Sequence, residues 1–189
     1  MSQKRPKNYI FASILAVLGL MSIGGTSVSA REQVSSTGRA EATVVEPIRA
    51  VALSDLSFGS IAVDRHSGGT VEVAPDGGPA TYSRSARPNC GSQEACKPHR
   101  ASFSVTGEGD RTYRVSLPGS VAARGVKTGA ELVVNQLAVR SFNQPALASG
   151  GRLDQEGQDR FFVGGTLHVP SGTKSDVFRS SLPVVISYN

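Results

Sequence analysis

The stretch Ser181–Asn189 limits what this chain can fold into more than any other. Leu182, Val184, Ile186 and Tyr188 alternate with Ser181, Pro183, Val185 and Ser187. A strand repeats every two residues, so the first four side chains share one face and point into a core. The sequence stops directly afterwards, and such a strand pairs only with strands made earlier. It therefore closes the fold or presents an edge to another chain.

The same alternation recurs upstream. From Val34 to Val44 the even positions Val34, Ser36, Gly38, Ala40, Ala42 and Val44 form a narrow apolar face of small residues. Glu46-Pro47 interrupts it, because proline cannot donate to a ladder. Strand character resumes over Ile48–Leu53 and Leu56–Val63. Turns are expected at Asp64–Gly69 and Pro75–Pro79, with a hairpin arm at Thr70–Val73 between them. Ala101–Thr106 and Thr112–Leu117 read as strands joined into a hairpin by Gly107–Asp110. Leu132–Val139 is a strand with Leu132, Val134 and Leu137 inside and a bulge near Asn135-Gln136. A loop over Asn143–Arg160 precedes a strand over Phe161–Val169, and Val177–Asn189 is the last arm. Eight or nine short strands and no helix beyond the opening residues predict an all-β fold, a β-sandwich.

The opening residues read as a leader. Lys4, Arg5 and Lys7 precede an apolar run from Ile10 to Ile23, and small residues lead to Val28-x-Ala30. That order predicts a secretory signal peptide, residues 1–30, cleaved after Ala30. The run is broken by Ser13, Gly19 and Ser22 and falls short of the ~20 residues of a spanning helix. No membrane anchor is then expected after cleavage. Residues 31–45 form an N-terminal extension or first strand, and 46–189 one sandwich domain. Removing the leader's three cations takes the net charge from +5 to +2, which gives no reason to expect nucleic acid as a partner.

Cys90 and Cys96 lie in the least regular part, an insert at about 82–100. In an exported chain two cysteines this close predict one local disulfide. A metal half-site is the rival reading, but no second pair of ligands stands at metal spacing, so no metal and no cofactor is expected. Arg84, Arg87, Lys97 and Arg100, with Tyr82 and His99, could make a cationic lip around that loop for an acidic glycan or partner. The plainer reading is dispersed, solvated charge. Asp154, Glu156 and Asp159 stand in a glycine-bearing loop but lack the order of a calcium loop, so a plain turn is expected. No G-x-S-x-G, H-E-x-x-H or phosphate loop is present, and the expectation is a protein without catalytic activity.

Six pieces of this sequence together resemble domain-of-unknown-function family 4402. They are Ala42–Ile48, Leu56–Ile61, Phe103–Gly107, Thr112–Pro118, Val163–Val169 and Ile186–Asn189. The resemblance implies an exported domain of alphaproteobacterial type whose fold is an all-β, Ig-like/pilin-like β-sandwich, similar to chaperone–usher pilin subunits. It implies as partners copies of this chain or other pilus subunits, with a periplasmic chaperone and usher. In that setting Val34, Gly38, Ala40, Ala42 and Val44 are strand-donor candidates, a role that β-augmentation between chains requires. Leu182, Val184, Ile186 and Tyr188 are the candidates for a C-terminal edge that a chaperone contacts. Two features depart from the pilin pattern. The cysteines are unusually close, and Asp176 stands where a glycine is common before the last strand. Two functions are therefore carried forward: a structural subunit of a fimbrium or other surface assembly, and a self-contained periplasmic or cell-surface binding module.

Overall fold

A computed structural model describes residues 37–90 and 96–189. The chain divides into two compact units, Met1–Ala42 and Thr43–Asn189. Of the first, only 37–42 are described; they are exposed and take no regular structure. The expected leader, its cleavage point and Val34 lie outside the described residues. Among the described residues no helix is long and apolar enough to cross a membrane.

The second unit is all-β. Its strands are β1 (Arg49–Ser54), β2 (Ile61–Ala62), β3 (Gly69–Val73), β4 (Thr81–Arg84), β5 (Arg87–Pro88), β6 (Ala101–Thr106) and β7 (Thr112–Ser116). They continue as β8 (Ser120–Gly125), β9 (Glu131–Ser141), β10 (Gly150–Arg152), β11 (Gln158–Val169), β12 (Phe178–Arg179) and β13 (Val185–Tyr188). β2, β5 and β12 are only two residues long, so the expected strands at Leu56–Val63 and Val177–Asn189 are realised only in short pieces. Four strands were not foreseen. β4 and β5 fall at the insert read as irregular, β8 is half alanine and glycine, and β10 lies inside the expected Asn143–Arg160 loop.

β11 is the axis of the larger sheet. One edge pairs with β9; the other pairs with β6 over Gln158–Val163 and then with β3 over Gly165–Val169. At the handover a Cβ on Gly164 would strike the Val73 carbonyl and Pro75, so only glycine lets both partners approach. The sheet order is β1-β6-β11-β9-β8-β12, with the β3–β4 hairpin attached at β11. The β9–β11 register shifts between Gly164 and Thr166. The extra residue on β9 is at Gln136, which has φ 50 and whose side-chain oxygen accepts from the Thr166 hydroxyl at 2.9 Å. The bulge thus falls where Asn135-Gln136 predicts it.

A second sheet, β10-β7-β13, faces the first in a sandwich-like arrangement consistent with an Ig-like fold. Val105, Tyr113, Val115, Leu153, Phe161 and Val163 fill the core between them. Here one expectation is corrected: β6 and β7 are not a hairpin. β6 belongs to the large sheet and β7 to the small one, and residues 107–110 carry the chain across. Both strands have a strongly apolar face, and those faces bury more completely opposite each other across the core than side by side in one sheet.

A polar cluster inside the sandwich ties the sheets together. The Asp159 carboxylate on β11 accepts from the Tyr113 hydroxyl at 2.7 Å and the Ser141 hydroxyl at 2.6 Å. It also accepts the backbone N–H groups of Asn143 at 3.1 Å and Arg160 at 2.6 Å. Gly151 on β10 packs directly over these oxygens, where a Cβ would find no room.

Candidate functional site

The second sheet covers only part of the large one. Beyond it, Ala123, Leu132, Val134, Leu167 and Val169 form a second apolar cluster on β8, β9 and β11. Phe58, Ile61 and Val63 lean over it from one side and Phe178 from the other. Between these two segments runs a groove of about 1310 Å³, walled by residues from 55–63 and from 172–182. Its floor is buried, core-like apolar surface, covered by these two segments rather than by a strand of the second sheet.

β13 follows the groove wall in sequence, but none of its residues lines the groove. It pairs with β7 through Val185↔Ser116 to Tyr188↔Tyr113, and its other edge has no strand partner among the described residues. The chain entering it, 180–184, takes no strand conformation, and Ser180–Leu182 line the groove. The expected strand from Ser181 is thus shorter, beginning at Val185, because Pro183 removes a ladder donor. The inward set holds as read: Leu182, Val184, Ile186 and Tyr188 all pack, half-buried, against the first core.

Tyr188 makes the joint between the two ends of the domain. Its hydroxyl accepts from the Glu108 N–H at 2.7 Å and donates to the Glu46 carbonyl at 2.9 Å. The Arg111 guanidinium lies over the ring, 5.0 Å from its centroid, and is itself paired with Glu108 at 3.0 Å. Glu46 immediately precedes Pro47 and β1, so this hydroxyl holds the root of the N-terminal extension. Gly38, Ala40, Ala42 and Val44 lie exposed with no strand, and Val44 is 93% exposed.

The far rim of the groove is held by Asp176. Its carboxylate accepts from the Thr128 hydroxyl at 2.6 Å and N–H at 2.7 Å, from the Lys127 N–H at 3.1 Å, and from the Val177 N–H at 2.7 Å. The Thr128 hydroxyl first, then the backbone donors, bring its pKa down to about 2. Asp176 therefore pins the 172–178 segment to the β8–β9 turn, a task a glycine could not perform.

The remaining sequence candidates are dispersed. Cys90 and Cys96 are joined in a disulfide with Cα atoms 5.6 Å apart; residues 91–95 between them lie outside the described residues. Arg84 has φ 60 and is exposed, Arg87 is exposed on β5, and Lys97 is exposed. Arg100 is otherwise engaged: its guanidinium stacks on Phe162, 3.5 Å from the ring centroid, and donates to the Pro75 carbonyl at 2.6 Å. Burial there lowers its pKa. The Asp154 loop is a tight turn in which Asp154 accepts from the Gln158 N–H at 2.7 Å and Gly157 has φ 75. Among the described residues no group of His, Cys, Asp or Glu is arranged to hold a metal ion.

The pieces that carried the resemblance now have places: Val163–Val169 is the axis of the large sheet and Ile186–Tyr188 the last strand. The family described as Domain of unknown function (DUF4402) matches residues 47–188. The chain belongs to this family. The DUF4402 region runs from the proline before β1 to Tyr188 and so contains every strand described above. The segment 31–45 lies outside it. No curated protein and no solved structure matches the chain.

The groove, the Tyr188 joint and the role of Asp176 are not legible in the sequence. Each depends on segments far apart in the chain, and for Asp176 the only local sign is a carboxylate where a turn glycine is common.

Proposed function

We propose that this is an exported, pilin-like structural subunit of a surface assembly, joined to its neighbours by β-strand complementation. The observation that carries the reading is the outer edge of the last strand, β13, which has no strand partner among the described residues. An unpaired strand edge is an aggregation hazard unless a strand covers it, and an added strand would satisfy its backbone donors and acceptors. The extension 31–45, outside the family region and alternating in sequence, supplies a strand of the right kind. Its partners would be copies of this chain or other pilus subunits, with a periplasmic chaperone covering the β13 edge before assembly at an usher. The Cys90–Cys96 disulfide accords with an oxidising compartment such as the periplasm or cell surface.

The alternative, a self-contained binding module, would use the same groove for a ligand. At about 1310 Å³ it is larger than the roughly 300–1,000 Å³ of most small-ligand sites.

Deleting Arg31–Ala42 tests the proposal. The truncated protein should remain a folded monomer while the intact exported chain forms ladders on sedimentation and native gels. An intact chain that stays monomeric at all concentrations, or a truncation that unfolds, defeats it.

A further inference from the structure

We infer that the outer face of the large sheet, the side turned away from the second sheet, binds a linear polysaccharide that carries carboxylates. This surface is distinct from the β13 edge, and its use does not depend on how copies of the chain join. Its residues follow from the ladders. Val105, Phe161 and Val163 point into the core, so their neighbours Ser104, Thr106, Arg160 and Phe162 point outward. Arg49 on β1 stands opposite Thr106, Ser104 opposite Arg160, and Phe162 opposite Arg140 on β9. Arg49, Arg160 and Arg140 are all exposed. They run diagonally across β1, β6, β11 and β9, in steps of about 8–12 Å given the spacing and rise of strands.

Charge decides the class of partner. Arg49, Arg140 and Arg160 have no ion pair among the described residues, whereas Arg111, Arg124 and Arg152 each meet a carboxylate. The acidic groups around the stripe lie off its line. Asp76 is beside Arg100, Glu72 is opposite Thr166 further along β11, and Glu131 is taken up by Arg124. Planar guanidiniums that lack carboxylates of their own are complementary to carboxylates on another chain. Arg100 stands at the margin and is occupied, stacked on Phe162 and bonded to the Pro75 carbonyl. Burial lowers its pKa first; Asp76 then raises it and Arg140 lowers it, so the positive field of the stripe reaches it.

Spacing and side chains narrow the class further. A nucleic acid strand carries a phosphate every ~3.4 Å, far denser than the stripe. Arg100 also covers the Phe162 ring on which a base would stack. A bilayer presents its charges in a plane, whereas a sheet turns by about 20–25° from strand to strand, so only part of the stripe would meet it. A polysaccharide sets its carboxylates apart by whole sugar rings and can follow that turn. It also brings hydroxyls. Ser102, Ser104 and Thr106 line β6, between Arg49 on β1 and Arg160 on β11, and their hydroxyls have no hydrogen-bond partner among the described residues. An acidic peptide would match the arginines and leave those hydroxyls unused. Beside Arg160, Phe142 donates its N–H to the Arg160 carbonyl at 2.7 Å, and its side chain is 71% exposed. That ring is open to the C–H face of a sugar.

The test uses the exported chain with its disulfide intact. The probe is alginate, a linear polyuronate, with neutral dextran as control, and binding is read by biolayer interferometry at low salt. The wild-type chain should bind alginate and not dextran. Arg140→Gln/Arg160→Gln should weaken binding by roughly tenfold with the melting temperature kept. Arg65→Gln/Arg114→Gln removes as much charge from outside the face and should change binding by no more than about twofold. A control pair that loses as much as the stripe pair, or a wild-type chain that does not retain alginate, would overturn the inference. Ser102→Ala/Ser104→Ala should weaken alginate binding by about threefold and leave poly-glutamate binding as it was; unchanged alginate binding in that variant would overturn the sugar assignment. Tighter binding of poly-glutamate, duplex DNA or phosphatidylglycerol vesicles than of alginate would overturn it too, giving the face to an acidic protein, a nucleic acid or a membrane.

Discussion

Two carboxylates show how the same side-chain chemistry serves different ends at different depths. Asp176 is at the surface and has a pH signature. Its pKa is lowered from 3.8 to about 2, so the unfolded chain takes up the proton more readily than the folded one. What its hydrogen bonds contribute is complete above 3.8 and is lost as pH falls through about 2. The expected outcome is that the amides of Lys127 and Thr128 lose exchange protection on acidification across this window, while β11 amides keep theirs. Asp176→Ala should abolish that protection at neutral pH as well. Asp159 lies inside, with four donors converging on it. Asp159→Ala would leave those donors buried without an acceptor, at a cost of about 2–4 kcal/mol in urea unfolding. Asp159→Asn should be milder, about 1 kcal/mol, because the amide oxygen still serves the two backbone N–H groups and the hydroxyls of Tyr113 and Ser141 can rotate to accept. Burial, followed by its bond to Asp159, raises the Tyr113 pKa well above the ordinary tyrosine range, so the phenol stays a donor.

At the scale of elements, β13 and the disulfide loop make contrasting predictions. Tyr188→Phe keeps the ring in the core but removes the bonds to Glu46 and Glu108; a loss of about 1–2 kcal/mol is expected in denaturant melts. Exposure of the Glu46–Pro47 root to limited proteolysis should rise in the same variant. The Cys90–Cys96 crosslink closes a short loop, and replacing both cysteines by serine should cost no more than about 2 kcal/mol. Exchange rates should change around 85–100 and at Ser60 on the groove wall, whose N–H donates to the Cys96 carbonyl at 3.0 Å, and leave β11 unaffected. Strands with β-branched or aromatic alternation, such as β6, β7, β9, β11 and the inward set of β13, are legible because burial on one face imprints a period of two. β8 and β10 are not, since alanine and glycine carry too little apolar surface to mark a face. The β6–β7 turn misleads for another reason: Gly107–Asp110 has hairpin composition, and nothing local states whether the strands on either side lie in one sheet or in two.

For the molecule as a whole, residue pattern alone determined the class of the fold, the strong strands, the position of the β9 bulge and membership of a family without an assigned activity. Those follow from side-chain periodicity and backbone preference, which act over a few residues and are written locally. The tertiary structure alone decided that loop segments rather than the second sheet cover Ala123, Leu132 and Val134, that β13 keeps an edge without a strand partner among the described residues, and that Tyr188 fastens the extension's root. These are relations between segments up to 142 residues apart. They arise from which faces find each other when the core forms, so no stretch of sequence records them by itself.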